Sequence, residues 1–332
     1  MPPTPDPAEP FTPVRHFLGW DRPLLTQVVD HLVDGWDGGV LDLSDRLIVV
    51  PTRQSGRRLR EALAERAAGR EAAVFPPRVL TPEAFLTVLR PDGLPVATPT
   101  ESLLMWAAVL GEVALDSFPA LFPQVPPRTD FAWALRVAEA WQSVRQTLGE
   151  GGLTMGAAAA RLVADGYPEA GRWSDLARLE ARYFGRLTGA GRADAQVAKS
   201  QAATHPVLPP EIRRIDFIAV SDPLDIAVQA AAGLGRRGVA VSVLVAAPAD
   251  RADGFDAWGR PDPGIWNAVR DLPLPLSRCH LVAGPEEQAG MVRALAAGHA
   301  DPAATLGLGV ADPEVAAALV SATGGPSDDR PG

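Results

Sequence analysis

Lysine is almost missing from this chain. Of its 31 basic residues only Lys199 is a lysine, and the other 30 are arginines. A phosphate-binding loop of the form GxxxxGK[ST] needs an ammonium that reaches the β- and γ-phosphates. Lys199 stands instead in Val197-Ala198-Lys199-Ser200, with alanine where the loop needs glycine. A nuclease centre that sets a metal-binding carboxylate two residues before its lysine is excluded as well, because that residue is Val197. Cysteine is nearly as scarce. Cys279 is the only one, which rules out an intramolecular disulfide and a thiolate metal cluster and fits a reducing compartment. The five histidines, at 16, 31, 205, 280 and 299, show no HxxxH or HExxH spacing, so no metal site and no cofactor is expected. No apolar run reaches the roughly 18 residues that span a bilayer. The stretch Met1 to Pro13 holds six prolines and acidic residues but no basic start or apolar segment, so it does not read as a signal peptide. A cytoplasmic protein without membrane partners is expected.

What is present reads as globular. The chain has 332 residues, 47% hydrophobic and 21% charged, enough for about two domains with real cores. After a disordered Pro-rich tail over 1–13, a strand at Val14 to Leu18 precedes a helix from Leu24 to Trp36, with Pro23 suited to the first helical position. Leu47-Ile48-Val49-Val50 is a continuous, largely β-branched run of the kind found in parallel strands buried on both faces. A helix from Ser55 to Ala68 follows, and Thr81-Pro82-Glu83 starts another. From 98 to 200 the strand signals vanish. Helical periodicity marks Thr100 to Leu115, Thr129 to Leu148 and Ser174 to Leu187, with tryptophans on stripes that suit a core better than a base-stacking platform. Strands return at Ile215 to Val220 and Val239 to Ala246, with 247–280 irregular. A helix at Glu286 to Ala297, a strand at Leu306 to Val310 and a helix from Asp312 to Ser321 come last, before a disordered tail over 324–332. The expected fold is α/β: a parallel sheet from 14–97 and 201–280, an all-helical insert over 98–200, and the start of a second α/β domain over 281–323.

Three places are candidates for chemistry. The turn after the first strand offers Gly19, Asp21 and Arg22 at a helix N-terminus, a position that attracts phosphate. It carries one glycine, an anion, bulky Trp20 and a proline without a donor, so it reads as a degenerate nucleotide loop or a plain loop. The stretch Arg53 to Arg70 holds six arginines and two glutamates, a local +4 in a chain of net charge −9, which leaves −13 for the rest. Thr52, Arg53, Gln54, Arg57 and Arg60 sit just past a strand's carboxyl end and mix cationic with neutral donors, as backbone grips on nucleic acid do. The plainer reading is a solvated helix face with i, i+4 pairs such as Arg57–Glu61. Ser221-Asp222 ends the strand at 215–220 where an ATPase would hold Mg²⁺ with two carboxylates. With Pro223 next, a helix cap is the stronger reading.

The segment from Leu47 to Leu59, LIVVPTRQSGRRL, resembles the start of the AddB-type subunit of bacterial AddAB helicase–nucleases, a group related to RecB-like proteins and the PD-(D/E)XK nuclease family. Phe75 to Phe85 (FPPRVLTPEAF) and Phe255 to Trp266 (FDAWGRPDPGIW) resemble further segments of that family. The resemblance implies a RecA-like fold with a helical insert. It also implies that VPTR corresponds to a helicase's single-strand-contacting motif, with Thr52, Arg53, Gln54 and Arg57 on phosphates and Arg60 behind them. Family members of this kind hold single-stranded or junction DNA and dock on an AddA-like helicase subunit during double-strand break repair. The family's nuclease domain and clustered cysteines are missing, so no catalysis is expected and the chain reads as a fragment or truncated product. The alternative is a protein-interaction scaffold without DNA affinity, in keeping with a pI near 5.1.

Overall fold

A computed structural model describes residues 11–268, 276–302 and 306–323. The chain divides after Ala268 into two units. In the first, β1 (Val14–Phe17) leads to α1 (Leu24–Leu32), and short β2 (Leu41–Asp42) precedes β3 (Arg46–Val49) and α2 (Arg53–Ala68). Then come β4 (Val74–Phe75), β5 (Arg78–Leu80) and α3 (Pro82–Val88). Five helices follow without a strand between them: α4 (Pro99–Glu112), α5 (Phe131–Glu150), α6 (Met155–Ala164), α7 (Ala170–Gly189) and α8 (Ala195–Thr204). The sheet resumes with β6 (Arg214–Ile218), α9 (Asp225–Arg236) and β7 (Ala240–Val245), before α10 (Pro263–Ala268).

The main sheet has the order β1-β7-β6-β3-β5, and every pair in it is parallel. β2 and β4 form a separate parallel pair. Alternation along each strand divides two cores. Leu47, Val49, Ile215, Phe217 and Val243 face one side with Phe85, Ile226, Ala230 and Leu234 of α3 and α9. Ile48, Val50, Ile218 and Leu244 face the other side with Val28, Leu32, Leu59 and Leu63 of α1 and α2. Burial on both faces is why the run at 47–50 shows no polar alternation, and each such side chain is worth about 1.5–3 kcal/mol.

The helical stretch has a core of its own around Trp106, Phe118, Trp141, Leu179 and Tyr183. Trp106 stacks on Tyr183 at 4.4 Å and meets Trp141 edge-on at 5.3 Å, so the tryptophan stripes are interior. Under these rings lies a charge network. Arg145, 2% exposed, grips both carboxylate oxygens of Asp194 at 2.8 Å and donates to Glu180 at 2.9 Å. The Tyr183 hydroxyl and the amides of Gln196 and Val197 also donate to Asp194, and the Gly156 amide donates to Glu180. The guanidinium lies 4.9 Å from the Tyr183 ring centroid and 5.1 Å from that of Phe184.

Several expectations need correction. Helices α6 and α8 were not legible as periodic stripes, because α6 reads MGAAAARLVA and α8 AQVAKSQAAT and both bury mainly alanines. Ser221-Asp222-Pro223 does not cap a helix: α9 begins at Asp225 with Leu224 as its N-cap and no side-chain cap. Pro23 is the N-cap of α1 rather than its first helical residue. Phe11 and Pro13 do not belong to a loose tail, since Pro13 is buried and Phe11 packs on the α9 face of the sheet and meets Trp258 at 6.4 Å. The rest of the expected N-terminal tail, 1–10, and the tail at 324–332 lie outside the described residues.

In the second unit, α11 (Pro285–Ala296) and α12 (Pro313–Thr323) share a small cluster of Ala289, Val315 and Leu319. Asp312 accepts from the Glu314 amide at 2.9 Å, the expected cap. Residues 306–310 form no strand; the segment pairs with no strand among the described residues. Among the described residues, no helix is long and apolar enough to cross a membrane.

Candidate nucleic-acid interface

The strand-to-helix turn after β3 is built by its own cap. Thr52 is the N-cap of α2; its hydroxyl oxygen accepts from the Ser55 amide at 3.0 Å and lies 2.8 Å from the Ser55 hydroxyl. One hydroxyl proton is therefore spent within the cap. Gly56 lets α2 lie close on the sheet: a Cβ there would be 3.0 Å from Val79 Cγ1 and 3.4 Å from Val50 Cγ2. The Thr-Arg-Gln-Ser-Gly sequence thus fixes where α2 starts and how closely it sits.

The six arginines of this stretch divide evenly by partner. Arg57 donates to Glu61 at 2.9 Å, Arg66 pairs with Asp30, and Arg70 bonds the Trp36 carbonyl while lying 4.7 Å from its ring centroid. Arg53, Arg58 and Arg60 are exposed and pair with no carboxylate among the described residues. At about 100° per residue, 53, 57 and 60 fall within about 60° on one flank of α2, while 54 and 58 turn to the flank beside α1. The residues singled out in the sequence therefore do not form one patch. Arg53, Arg57 and Arg60 stay together, and Gln54 parts from them to join Arg58, which the sequence reading had left out of the site.

Topology explains what Gln54 and Arg58 border. The β3-to-β5 crossover runs outward with α2 on one face of the sheet, and the β6-to-β7 crossover runs the opposite way with α9 on the other face. The carboxyl ends of neighbouring β3 and β6 are consequently a switch point, where open parallel sheets part and bind ligands. A crevice of about 490 Å³ opens there, walled by Leu25, Val28, Val50, Leu59 and Ile218, with Gln54 and Arg58 among its polar lining. Ala219, which follows β6 and lines the crevice, has φ +50, an uncommon conformation for a residue with a Cβ.

The turn after β1, by contrast, is consumed by its own fold. The Leu18 and Gly19 amides bond the carbonyls of Val245 and Ala247 at 3.0 and 2.9 Å, and the Trp20 indole bonds that of Ala246 at 2.8 Å. Gly19 has φ +81, and a Cβ there would be 2.8 Å from Asp21 Oδ1. Arg22 is committed to Asp30 at 3.0 Å. The donors that a phosphate loop would point at a ligand are turned onto β7 and its extension.

The 255–266 segment closes the neighbouring space. Arg260 bonds the Pro223 carbonyl and Asp225, with Asp222 at 3.7 Å, while Trp258 packs edge-on against Phe217 at 5.8 Å. Asp222 is 94% exposed and its carboxylate faces this guanidinium. The same segment is held at β1 by Arg15, whose guanidinium donates to the carbonyls of Ala252, Phe255 and Asp256. A cavity lined by Ala219, Ser221, Ala246 and Phe255 measures only about 80 Å³, well below the roughly 300–1,000 Å³ of small-molecule sites.

The scattered histidines hid one neighbour pair: the His16 and His31 rings lie 4.5 Å apart between β1 and α1. Half-burial, then the neighbouring His16 and Arg46, push the His31 imidazole below its ordinary value. Among the described residues, no three His, Cys, Asp or Glu side chains gather as a metal site. Compared with models of protein families the chain matches none, and no curated protein matches it in sequence.

Proposed function

We propose that this chain is a non-catalytic, DNA-holding part of an AddB-like helicase–nuclease subunit: a RecA-like α/β domain whose helices α4 to α8 form an inserted subdomain. In this reading it grips single-stranded or junction DNA during recombinational repair of double-strand breaks, and an AddA-like partner supplies the motor. The observation that carries the reading is that three exposed arginines on the first turns of α2, Arg53 and Arg60 on one flank and Arg58 on the other, pair with no carboxylate among the described residues, at the carboxyl edge of the sheet in a chain otherwise strongly acidic. The closed turn after β1 and the Arg260 contacts support a holding role over an ATP-driven one.

Anisotropy titration of a fluorescent oligothymidylate at a low and a high salt concentration tests it. Binding should weaken with salt, and Arg53→Ala with Arg60→Ala should lower the slope of log K against log salt by about one per lost phosphate contact. Unchanged affinity and slope in the double variant would sink the assignment. The pairing of Arg57 with Glu61 and the net charge of −9 favour the second reading, an interaction scaffold without DNA affinity. Absence of binding even at low salt is its signature.

A further inference from the structure

We infer that a polar pocket of the helical stretch, between the α5–α6 turn and α8, binds a small neutral sugar or polyol, a function separate from DNA holding. The pocket measures about 290 Å³, close to the roughly 300 Å³ at which small-molecule sites begin. One wall is the turn Gly152 to Thr154, and the other is a face of α8. At about 100° per residue, Gln196, Ser200 and Thr204 fall within about 80° of one another on that helix, with Gln201 beside them. The lining is thus hydroxyls and amides, and among the described residues no Asp, Glu, Lys or Arg contributes to it. Hydroxyls and amides both donate and accept, as the hydroxyls of a sugar do, whereas an anionic ligand would find no guanidinium or ammonium. Much of this capacity is unspent. Thr154 accepts from the Ala157 amide at 3.0 Å and keeps its proton, while the Ser200 hydroxyl and the Gln201 amide make no bond among the described residues. Leu153 and Val197 offer apolar contact for the C–H face of a ring.

Gln196 is the side chain that points to a ligand. It is 9% exposed, and its amide oxygen, sealed from solvent, meets no donor among the described residues. The side chain lies on the bare backbone of Gly149 in α5, where a Cβ would stand 2.6 Å from that oxygen. Turning the amide over only exchanges an unmet oxygen for an unmet nitrogen. Methionine would fill the same place without stranding a polar atom, which costs about 1–3 kcal/mol. What glutamine adds is an amide along the pocket wall, for a ligand to bond.

Titration of the isotope-labelled full chain, without DNA, with glycerol, glucose and glucose 6-phosphate tests this through amide chemical shifts. Glucose should give saturable, millimolar shifts gathered at 152–154 and 196–205, and its phosphate should bind no more tightly. Gln196→Met should keep or raise the melting temperature while weakening glucose binding roughly 2- to 12-fold, the span for one neutral hydrogen bond. Ser200→Leu, which fills the pocket from its half-buried wall, should abolish the shifts in a chain that stays folded. Absence of saturable shifts with glycerol and glucose overturns the inference, as do shifts confined to other residues. Tighter binding of the phosphate overturns the neutral class of ligand. A fall in melting temperature in Gln196→Met with glucose binding unchanged overturns the role given to Gln196 and makes it structural.

Discussion

Removing the guanidinium from the helical core isolates one physical cause. Arg145 is 2% exposed and makes three charge-assisted hydrogen bonds to Asp194 and Glu180, themselves 4% and 2% exposed. Arg145→Met keeps most of the apolar volume under Tyr183 and Phe184 but strands two carboxylates away from water. Breaking a buried ion pair in this way costs about 3–5 kcal/mol. Adding Asp194→Asn should recover part of the loss: it removes one stranded charge while asparagine can still cap α8.

The pH dependence gives a second readout. In the native protein burial pushes the Asp194 carboxyl up, but the bidentate Arg145 and the amide of Val197 outweigh it and hold it below the ordinary range. Its contribution is therefore present above the unfolded-state value of about 4 and is lost as the pH falls through the lower folded-state value. Without Arg145, burial acts unopposed by a cation and the carboxyl rises. The ionised group then costs stability near neutrality, and the cost fades on acidification. The gap between the native protein and Arg145→Met should therefore narrow from about pH 8 to about pH 5. Urea unfolding followed by tryptophan emission suits the measurement, since Trp106 and Trp141 stand in this core. A loss under about 1 kcal/mol, or a gap that stays constant with pH, refutes the argument that the carboxylates depend on the guanidinium.

Other perturbations have equally definite expectations. Thr52→Ala removes the acceptor for the Ser55 amide and should cost about 1 kcal/mol in urea unfolding. Gly56→Ala should not give the roughly 1 kcal/mol gain usual for glycine-to-alanine in a helix, because the new Cβ presses on Val79 Cγ1 at 3.0 Å; repeating it in a Val79→Ala background should show a more favourable effect. Burial pushes the Asp216 carboxyl up, with Arg46 at 3.6 Å opposing. Its ionised form thus costs stability that acidification returns, so Asp216→Asn should match or exceed the native protein at about pH 8 and lose that part of the pH dependence. Gly19→Ala must hold φ +81 with a Cβ 2.8 Å from Asp21 Oδ1, and should lower the melting temperature without altering DNA affinity.

The parts of the fold that were legible in the sequence are those where large apolar side chains carry the pattern. Leu47 to Val50 announced a doubly buried strand, and the tryptophan stripes announced a helical core. Helices α6 and α8 were silent because alanine is buried without marking a stripe. The ion network was silent for a related reason: Arg145, Glu180 and Asp194 look like solvated positions until the rings of Tyr183 and Phe184 cover them. At the candidate site, sequence could place the arginines on a helix but not assign their partners. Asp30 and Trp36, which occupy Arg66 and Arg70, come from the far side of a crossover. Arg58 was passed over because it lies off the flank of Arg53, Arg57 and Arg60, and only the strand order shows that its own flank borders a crevice.

The grip of Arg15 on the carbonyls of Ala252, Phe255 and Asp256 bears on self-association. β1 is the outer strand of a parallel sheet, and its free edge is a template on which a strand from another copy could add. Arg15 and Phe17 share one face of β1, and the guanidinium together with the Phe17–Phe255 ring contact lays the 252–256 turn over the apolar side chains of that face, right beside the edge. Loosening the turn at residues 252–256 would thus bare apolar surface beside an unpaired strand edge before it unfolded anything, and the first symptom of damage there would be aggregation rather than melting.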